Sequence, residues 1–390
     1  MKGLAVLSLT SRRKLILGSV FLVLATFILT SGAFIYLLGL KSPDAAGAVK
    51  LFRAMQLVKT RYVEEVPVDT LMAGAIKGMV TSLGDPHSVY MDANMYKEFM
   101  IQTEGSFGGV GIVIGVKDKI LTVIAPVEGT PGEKAGIKSG DQIVKIDGQE
   151  TKNMALDEAV GKIRGPEGTQ VVLTILRPGS EPKDYPVTRS NIQIKTVAGK
   201  MLEDQIGYIR ISMFNENTGN DFTRKYQELE QAGMKALVLD MRDNPGGLLE
   251  ESVKVAGKLV PKGPIVSVVT RDGKRDVHSS TLEKVPYPAV VLVNGGSASA
   301  SEIVAGAVQD TGSGTLVGVK TFGKGSVQTL LRLDMQTAIK LTIAKYYTPS
   351  DRSINGTGIM PDVVVEMPAS PAAGQDVQLD KAIEIIKTKM

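Results

Sequence analysis

Apolar and polar positions divide the chain into four stretches. Residues 15–40 read LILGSVFLVLATFILTSGAFIYLLGL, 26 residues without a charge, which predicts one long apolar helix. Residues 47–100 show helical spacing. Phe52, Met55, Val58 and Val63 form one stripe, and Leu71, Ile76, Met79 and Val80 form a second, which Gly84, Asp85 and Pro86 interrupt. His87 then reads as a turn residue, and Tyr90, Met95, Tyr96 and Met100 predict another short helix. From about 104 the period shortens. Strand-like runs at 110–114 and 120–124 precede a turn at 129–132, a strand at 143–146 with a hairpin turn at Asp147–Gly148, a helix at 155–163 and a final strand at 171–176. The fourth stretch begins near 195. It predicts strands at 206–212, 235–240, 264–269, 288–293 and 315–319, with helices at 216–231, 247–258 and 299–309. Such alternation predicts an α/β layer with partly parallel pairing. Strand-like runs at 339–347 and 362–366, a small-residue linker at 368–374 and an amphipathic helix at 379–390 complete the chain.

Charge changes the picture at one end only. The formal net charge is +4, but Lys2, Arg12, Arg13 and Lys14 stand in the first 40 residues without any acid. The other 41 basic residues match the 41 acidic ones, so the excess is an orientation signal beside the apolar run and not a nucleic-acid surface. The positive-inside rule then predicts a single-pass signal anchor at 15–40 in the bacterial inner or cytoplasmic membrane, with the basic leader 1–14 inside and the rest exported. A signal peptide cleaved near Ser31 to Ala33 is the rival reading, although its apolar core would be unusually long.

There is no cysteine, and His87 and His278 are the only histidines. Cysteine nucleophiles, disulfides and histidine-rich metal sites are excluded, and no cofactor is expected.

Glycines at 105, 108, 109 and 111 open a strand and do not match a spaced dinucleotide fingerprint. They suit a loop whose backbone N–H groups hold a carboxylate beside an open strand edge. With TPGEKAGIKSGDQIVKIDG at 130–148, this stretch resembles a PDZ domain. The resemblance implies that Gly108, Gly109, Val110 and Gly111 bind a peptide C-terminus, with apolar side chains preferred.

Residues 294–302 read NGGSASASE, a small-residue loop entering a helix, where unpaired N–H groups can face a developing oxyanion. Ser297, Ser299 and Ser301 are all candidate nucleophiles, and Ser299 with Glu302 equally has capping-box spacing. Downstream, TFGKGSVQ at 321–328 fails as a nucleotide-binding loop because Gly325 follows Lys324. A lysine among small residues can instead be desolvated, which lowers its pKa and lets it accept a serine proton.

On SASASE and TFGKGSVQ, the chain from about 48 to 366 resembles the carboxyl-terminal processing proteases, also called tail-specific proteases. The resemblance implies a mixed α/β fold: a serine-protease core at 195–367 with an inserted PDZ domain at 104–190 and an N-terminal helical region at 47–100. That region would support a homodimer, and 368–390 would be linker and terminal helix. It also implies Ser299 as nucleophile, Lys324 as general base, and Gln328 orienting the lysine from the same helical face if that segment is helical. DMRDNPGG at 240–247 implies an oxyanion hole from the N–H groups of Gly246 and Ala300, with Gly247 the alternative to Gly246. Asp243 and Asn244 would shape that loop, Glu302 and Asp310 would support the nucleophile helix, and GDPHSVY at 84–90 would make His87 structural. Arg164, in KIRGPEG, would couple the PDZ unit to the protease.

The expected function is a membrane-anchored extracytoplasmic serine endopeptidase. It would cut proteins near their C-terminal tails, with the PDZ domain recognising substrates with apolar C-termini and gating the site. A non-catalytic PDZ scaffold and an envelope chaperone are the competing readings.

Overall fold

A computed structural model describes residues 9–41, 43–117, 120–177, 179–368 and 374–390, so most of the expected 368–374 linker lies outside the described residues. The chain forms two units, 1–82 and 83–390.

The first unit is helical: α1 (Leu9–Lys41), α2 (Pro43–Arg61) and α3 (Val68–Thr81). Among the described residues no helix is long and apolar enough to cross a membrane. Within α1 side chains are described for 17–33 only, so those of 15, 16 and 34–40 in the expected 15–40 span lie outside the described residues.

The second unit starts with β1 (Val89–Met91) and α4 (Ala93–Glu104). Tyr90, expected in a helix, is extended and pairs with Ile339. The helix starts later because Asp92 caps it, accepting the N–H groups of Asn94 and Met95 at 3.0 and 2.9 Å. Met95, Tyr96 and Met100 then fall on α4 as expected.

Strand β2 (Ser106–Gly109) leads into an antiparallel sheet of β3 (Ile112–Lys117), β4 (Ile120–Pro126), β5 (Gln142–Ile146), β6 (Gln149–Glu150), β7 (Gln170–Leu176) and β8 (Lys183–Thr188). Short α5 (Pro131–Lys134) and α6 (Leu156–Ile163) complete it, and β9 (Ser190–Gln193) returns to pair with β2. Its core is Leu121, Val123, Ile143, Ile146, Ala159, Ile163, Val171, Leu173, Ile175 and Val187. Strand β7 alternates as a half-buried strand must, placing Val171, Leu173 and Ile175 inside. It is not the last strand of this unit. β8 follows as a polar edge strand whose sequence, KDYPVT, carries little apolar signal.

Beyond this sheet lie β10 (Val197–Met201), β11 (Ile206–Ile211), α7 (Thr218–Gln231), β12 (Ala236–Asp240), α8 (Leu249–Ala256), β13 (Gly263–Thr270), β14 (Arg275–Ser280), β15 (Ala289–Val293), α9 (Ala300–Asp310), β16 (Gly314–Gly318), β17 (Ser326–Arg332), β18 (Ala338–Tyr347), β19 (Val363–Val364) and α10 (Val377–Lys387). One sheet runs β10-β11-β12-β15-β16-β19 and is parallel from β11 onward. Strands β12 and β15 are buried at every position because both faces are covered, which explains the unbroken apolar runs ALVL and AVVLV. Leu237, Leu239, Val291 and Val293 pack with α7, α8 and α9, whereas Ala236, Val238, Val290 and Leu292 pack with Ala382 and Ile386 of α10. Each such aliphatic contributes on the order of 1.5–3 kcal/mol relative to exposure. A second, antiparallel sheet runs β1-β18-β13-β14, with β17 also paired to β18.

Because β12, β15 and β16 are parallel neighbours, the loops that follow them leave at the same carboxyl-end rim, where α/β sheets form their sites. A buried charge network ties α10 to this rim. Arg242 donates to both Asp240 and Asp376, with Asp376 bound bidentately at 2.8 and 2.7 Å.

Candidate active site

The loop after β15 makes a sharp turn into α9. Its apex is Ser299, at φ 54° and ψ −114°. A non-glycine residue at positive φ costs of order 1–3 kcal/mol and persists only when its surroundings enforce it. The enforcing contacts are explicit. Ser297 Oγ donates to Met241 O at 2.8 Å and accepts Asn294 N–H at 2.9 Å. Ala298 N–H and Ser301 Oγ both donate to Asn244 O at 3.0 Å. These bonds also separate the three serines. Ser297 and Ser301 are fully buried with their hydroxyls committed to loop carbonyls, whereas Ser299 is partly exposed and lines a cavity of about 510 Å³. Ser299 and Glu302 also stand at the cap and third positions of α9, so the capping position and a place on the cavity wall coexist.

Glu302 is completely buried and joins two loops. Its Oε2 accepts the N–H of Ser299 at 2.8 Å and of Lys324 at 2.9 Å. Its Oε1 accepts Thr321 Oγ–H at 2.6 Å and Gly323 N–H at 2.7 Å. Lys324, between β16 and β17, lines the same cavity as Ser299. Burial pulls the Lys324 amine below its ordinary pKa, the nearby Lys340 cation pushes the same way, and Asp85 and Glu302 oppose.

Gln328 lies on β17 and not on a helix, which corrects the expected helical face. In a strand the side chains of Ser326 and Gln328 share a face. Gln328 Nε2 accordingly donates to Ser326 Oγ at 2.9 Å and to Thr342 Oγ1 at 3.1 Å. It lines the cavity with Lys324 but makes no hydrogen bond to it among the described residues.

The loop after β12 brings Gly246 and Gly247 against the serine turn. A Cβ on Gly246 would lie 2.8 Å from Ser299 Cβ, and one on Gly247 would lie 2.0 Å from Phe214 O, so neither position admits a side chain. Gly246 N–H already donates to Asn244 Oδ1 at 2.9 Å, an amide orientation fixed by the bond from Asn244 Nδ2 to Ile211 O. The N–H groups of Gly247 and Ala300 donate to no described atom. Of the expected oxyanion donors, Ala300 is therefore free, and Gly247 is free where Gly246 is engaged.

The glycine run at 108–111 is distant in sequence from this site but linked to it. Gly165 N–H donates to Gly108 O at 3.0 Å, and a Cβ on Gly108 would lie 2.0 Å from Gly165 O. Next to it, Arg164 donates to Glu98 Oε1 on α4 at 2.6 Å and lies 4.5 Å above the Phe107 ring. Phe99, Gln102 and Thr103 of α4 line the cavity that holds Ser299. Asp310, at the end of α9, accepts Ser350 N–H at 2.9 Å and pairs with Arg352, a support away from the cavity.

Two further neighbours stand beside Lys324, one of which, His87, the sequence placed only as a structural turn residue. His87 N–H donates to Asp85 Oδ1 at 3.0 Å, which keeps it a turn residue, yet its imidazole is held below its usual pKa by burial and then by the charge on Lys324. Lys340 on β18 lines the cavity as well. The GDPHSVY motif signalled the first, and nothing in the sequence signalled the second. Among the described residues no group of acidic and histidine side chains is arranged to hold a metal.

Three family models match the chain. "Peptidase family S41" matches residues 205–365, "PDZ domain" matches 122–177, and "Activating protease CtpB N-terminal domain" matches 41–95. The chain is 43% identical over 339 residues to the carboxy-terminal-processing protease of Bartonella bacilliformis, covering 83% of this chain and 76% of that one. It is 39% identical over 358 residues to carboxy-terminal processing protease CtpA of Bacillus subtilis, covering 89% and 77%. Among solved structures, the photosystem II D1 C-terminal processing protease is 31% identical, with a TM-score of 0.49, over 86% of this chain and 96% of that one.

Removing the Glu302 carboxylate strands four buried donors. Glu302→Ala is expected to lower stability by about 3–5 kcal/mol. Urea unfolding would measure this, and a loss within about 1 kcal/mol would show that the two loops hold their geometry without it.

Proposed function

The chain belongs to the carboxy-terminal processing proteases of peptidase family S41 and carries a PDZ domain, and from that footing we propose that it cuts proteins near their C-termini through a Ser299–Lys324 pair. The observation that carries this reading is Glu302. One carboxylate holds the strained serine turn and the lysine loop at the edge of one cavity. In this reaction neutral Lys324 takes the Ser299 proton as Oγ attacks the peptide carbonyl, then returns it to the leaving amine. Water activated by the same amine releases the acyl-enzyme. The free N–H groups of Ala300 and Gly247 hold the oxyanion; one such donor is worth about 3 kcal/mol in the transition state. Gln328 supports the β17–β18 face beside Lys324 and orients its amine once substrate closes the cavity. The glycine run 108–111 receives the substrate carboxylate, and apolar terminal side chains dock beside it.

The reading is tested with an unfolded protein bearing an apolar C-terminus. Ser299→Ala and Lys324→Ala are each expected to abolish cleavage while binding persists. Cleavage surviving either change rejects the pair, and binding without cleavage by the wild type returns the scaffold and chaperone readings. Activity requires the neutral amine. Because the folded pKa of Lys324 lies below the ordinary lysine value, the rate should rise with pH along a limb below that value and fall away as the amine protonates.

Arg164 couples the PDZ domain to the cavity, supported by its contacts with Phe107 and Glu98. Arg164→Ala is expected to reduce cleavage of tail-bearing substrates several-fold while short peptides lacking a docking tail are cut as before. Equal effects on both substrates would reject coupling.

Residues 15–40 anchor the enzyme in the cytoplasmic membrane with its catalytic unit outside, supported by the uncharged run and by Arg12, Arg13 and Lys14 before it. Full-length protein should resist carbonate extraction from membranes, and release into the soluble fraction would reject the anchor.

A further inference from the structure

Lys340 stands where a cation is costly. It is half-buried on β18, in register with Val89 of β1 and Leu330 of β17, and it lines the cavity that holds Ser299 and Lys324. Its Nζ lies 5.7 Å from the Phe99 ring centre. Among the described residues no carboxylate lies within 4 Å of either the Lys340 or the Lys324 ammonium, and neither side chain donates a hydrogen bond. A second lysine in such a place is not explained by ion pairing. Two like charges sharing a site disfavour each other's charged form, and burial pulls the Lys340 amine below its ordinary pKa just as it does that of Lys324.

The neighbours of Lys324 leave this role to Lys340. From the loop before β1 come Asp85 and His87. Asp85 accepts Ser88 Oγ–H at 2.6 Å and His87 N–H at 3.0 Å, and Ser88 Oγ accepts Thr342 N–H at 3.0 Å, so this loop is bound to β18. From α9 comes Glu302, whose lone pairs are spent on four donors. From β18 comes Tyr346, whose hydroxyl donates to Lys324 O. Glu250, Asp276 and His278 line the cavity from α8 and β14. Asp85 and Glu302 favour a charged Lys324, and Lys340 is the cation acting against them.

We propose that Lys340 is a positioning residue for the general base: its ammonium, unpaired in the same cavity, keeps the Lys324 amine in the form that accepts the Ser299 proton. The assignment rests on the serine–lysine reading above. It extends the catalytic machinery to β18, and the β1–β18 pairing makes the 85–88 turn part of the same electrostatic site.

The test is the pH dependence of kcat/KM on a soluble peptide substrate for the full chain, with Lys340→Gln and Lys340→Arg beside the wild type. Lys340→Gln should move the acid limb to higher pH by roughly one unit, which is about a tenfold loss of rate at a pH below both limbs, while the high-pH plateau is kept. Lys340→Arg restores a cation and should restore the wild-type limb. An unmoved limb in Lys340→Gln overturns the proposal. If that variant melts early, Lys340→Met, which keeps an unbranched apolar side chain without the charge, replaces it. A readout independent of turnover is the titration of the Lys324 amine by NMR in ¹³C-lysine-labelled Ser299→Ala protein. Adding Lys340→Gln should raise its midpoint, and an unchanged midpoint again overturns the proposal. The two readings fail separately: activity in Lys324→Ala removes the serine–lysine pair, whereas an inactive Lys324→Ala with an unshifted Lys340→Gln limb removes only the role of Lys340.

Discussion

The site depends on one buried carboxylate. Glu302 accepts four hydrogen bonds, two from the backbone N–H groups of Ser299 and Lys324. A buried carboxylate is tolerable only when its lone pairs are filled, so the donors must be in place for the fold to close. That requirement fixes the serine turn at its positive φ and brings the lysine loop to it. The backbone strain at Ser299 is offset by contacts from the loop after β12 and from Glu302 on α9, and Ser299 is left lining the cavity.

The parallel sheet makes this arrangement reachable. Strands β12, β15 and β16 are adjacent and point the same way, so the glycine loop, the serine turn and the lysine loop emerge together. The antiparallel sheet closes the side of the cavity with β17 and β18, which supply Gln328, Lys340 and Tyr346. The PDZ domain reaches the cavity through Arg164, Glu98 and α4, which packs beside β17 and β18. The glycine run is thus tied through Gly165 and Arg164 to the helix whose residues line the cavity, and only a few contacts carry that connection.

Some of this was legible in the chain. Continuous apolar runs announced β12 and β15 because strands covered on both faces cannot alternate, and small residues before Glu302 marked the serine turn. Strands β8, β14 and β17 were not legible, since polar edge or one-faced strands carry little apolar signal. Tyr90 was misplaced because the Asp92 cap, and not the apolar spacing, decides where α4 begins. The choice among three serines stayed open in the residue pattern, because identical neighbours differ only in which hydroxyl meets a loop carbonyl. For Gln328, helical spacing was the wrong guide once β17 paired with β18.

The sequence by itself determined the order of the main apolar elements, the family motifs and the presence of a serine, a lysine and a glycine loop suited to acyl transfer. Those features are local or compositional, and short-range physics reads them. Only the tertiary structure decided that Gly246 N–H is already bound to Asn244, which leaves Gly247 and Ala300 free, and that His87 and Lys340 stand beside Lys324. The physical reason is separation along the chain. His87 and Lys340 lie on other parts of the chain, and they come beside Lys324 only after β1 and β18 pair, when the Lys340 charge acts on the Lys324 amine and the Lys324 charge on the His87 imidazole.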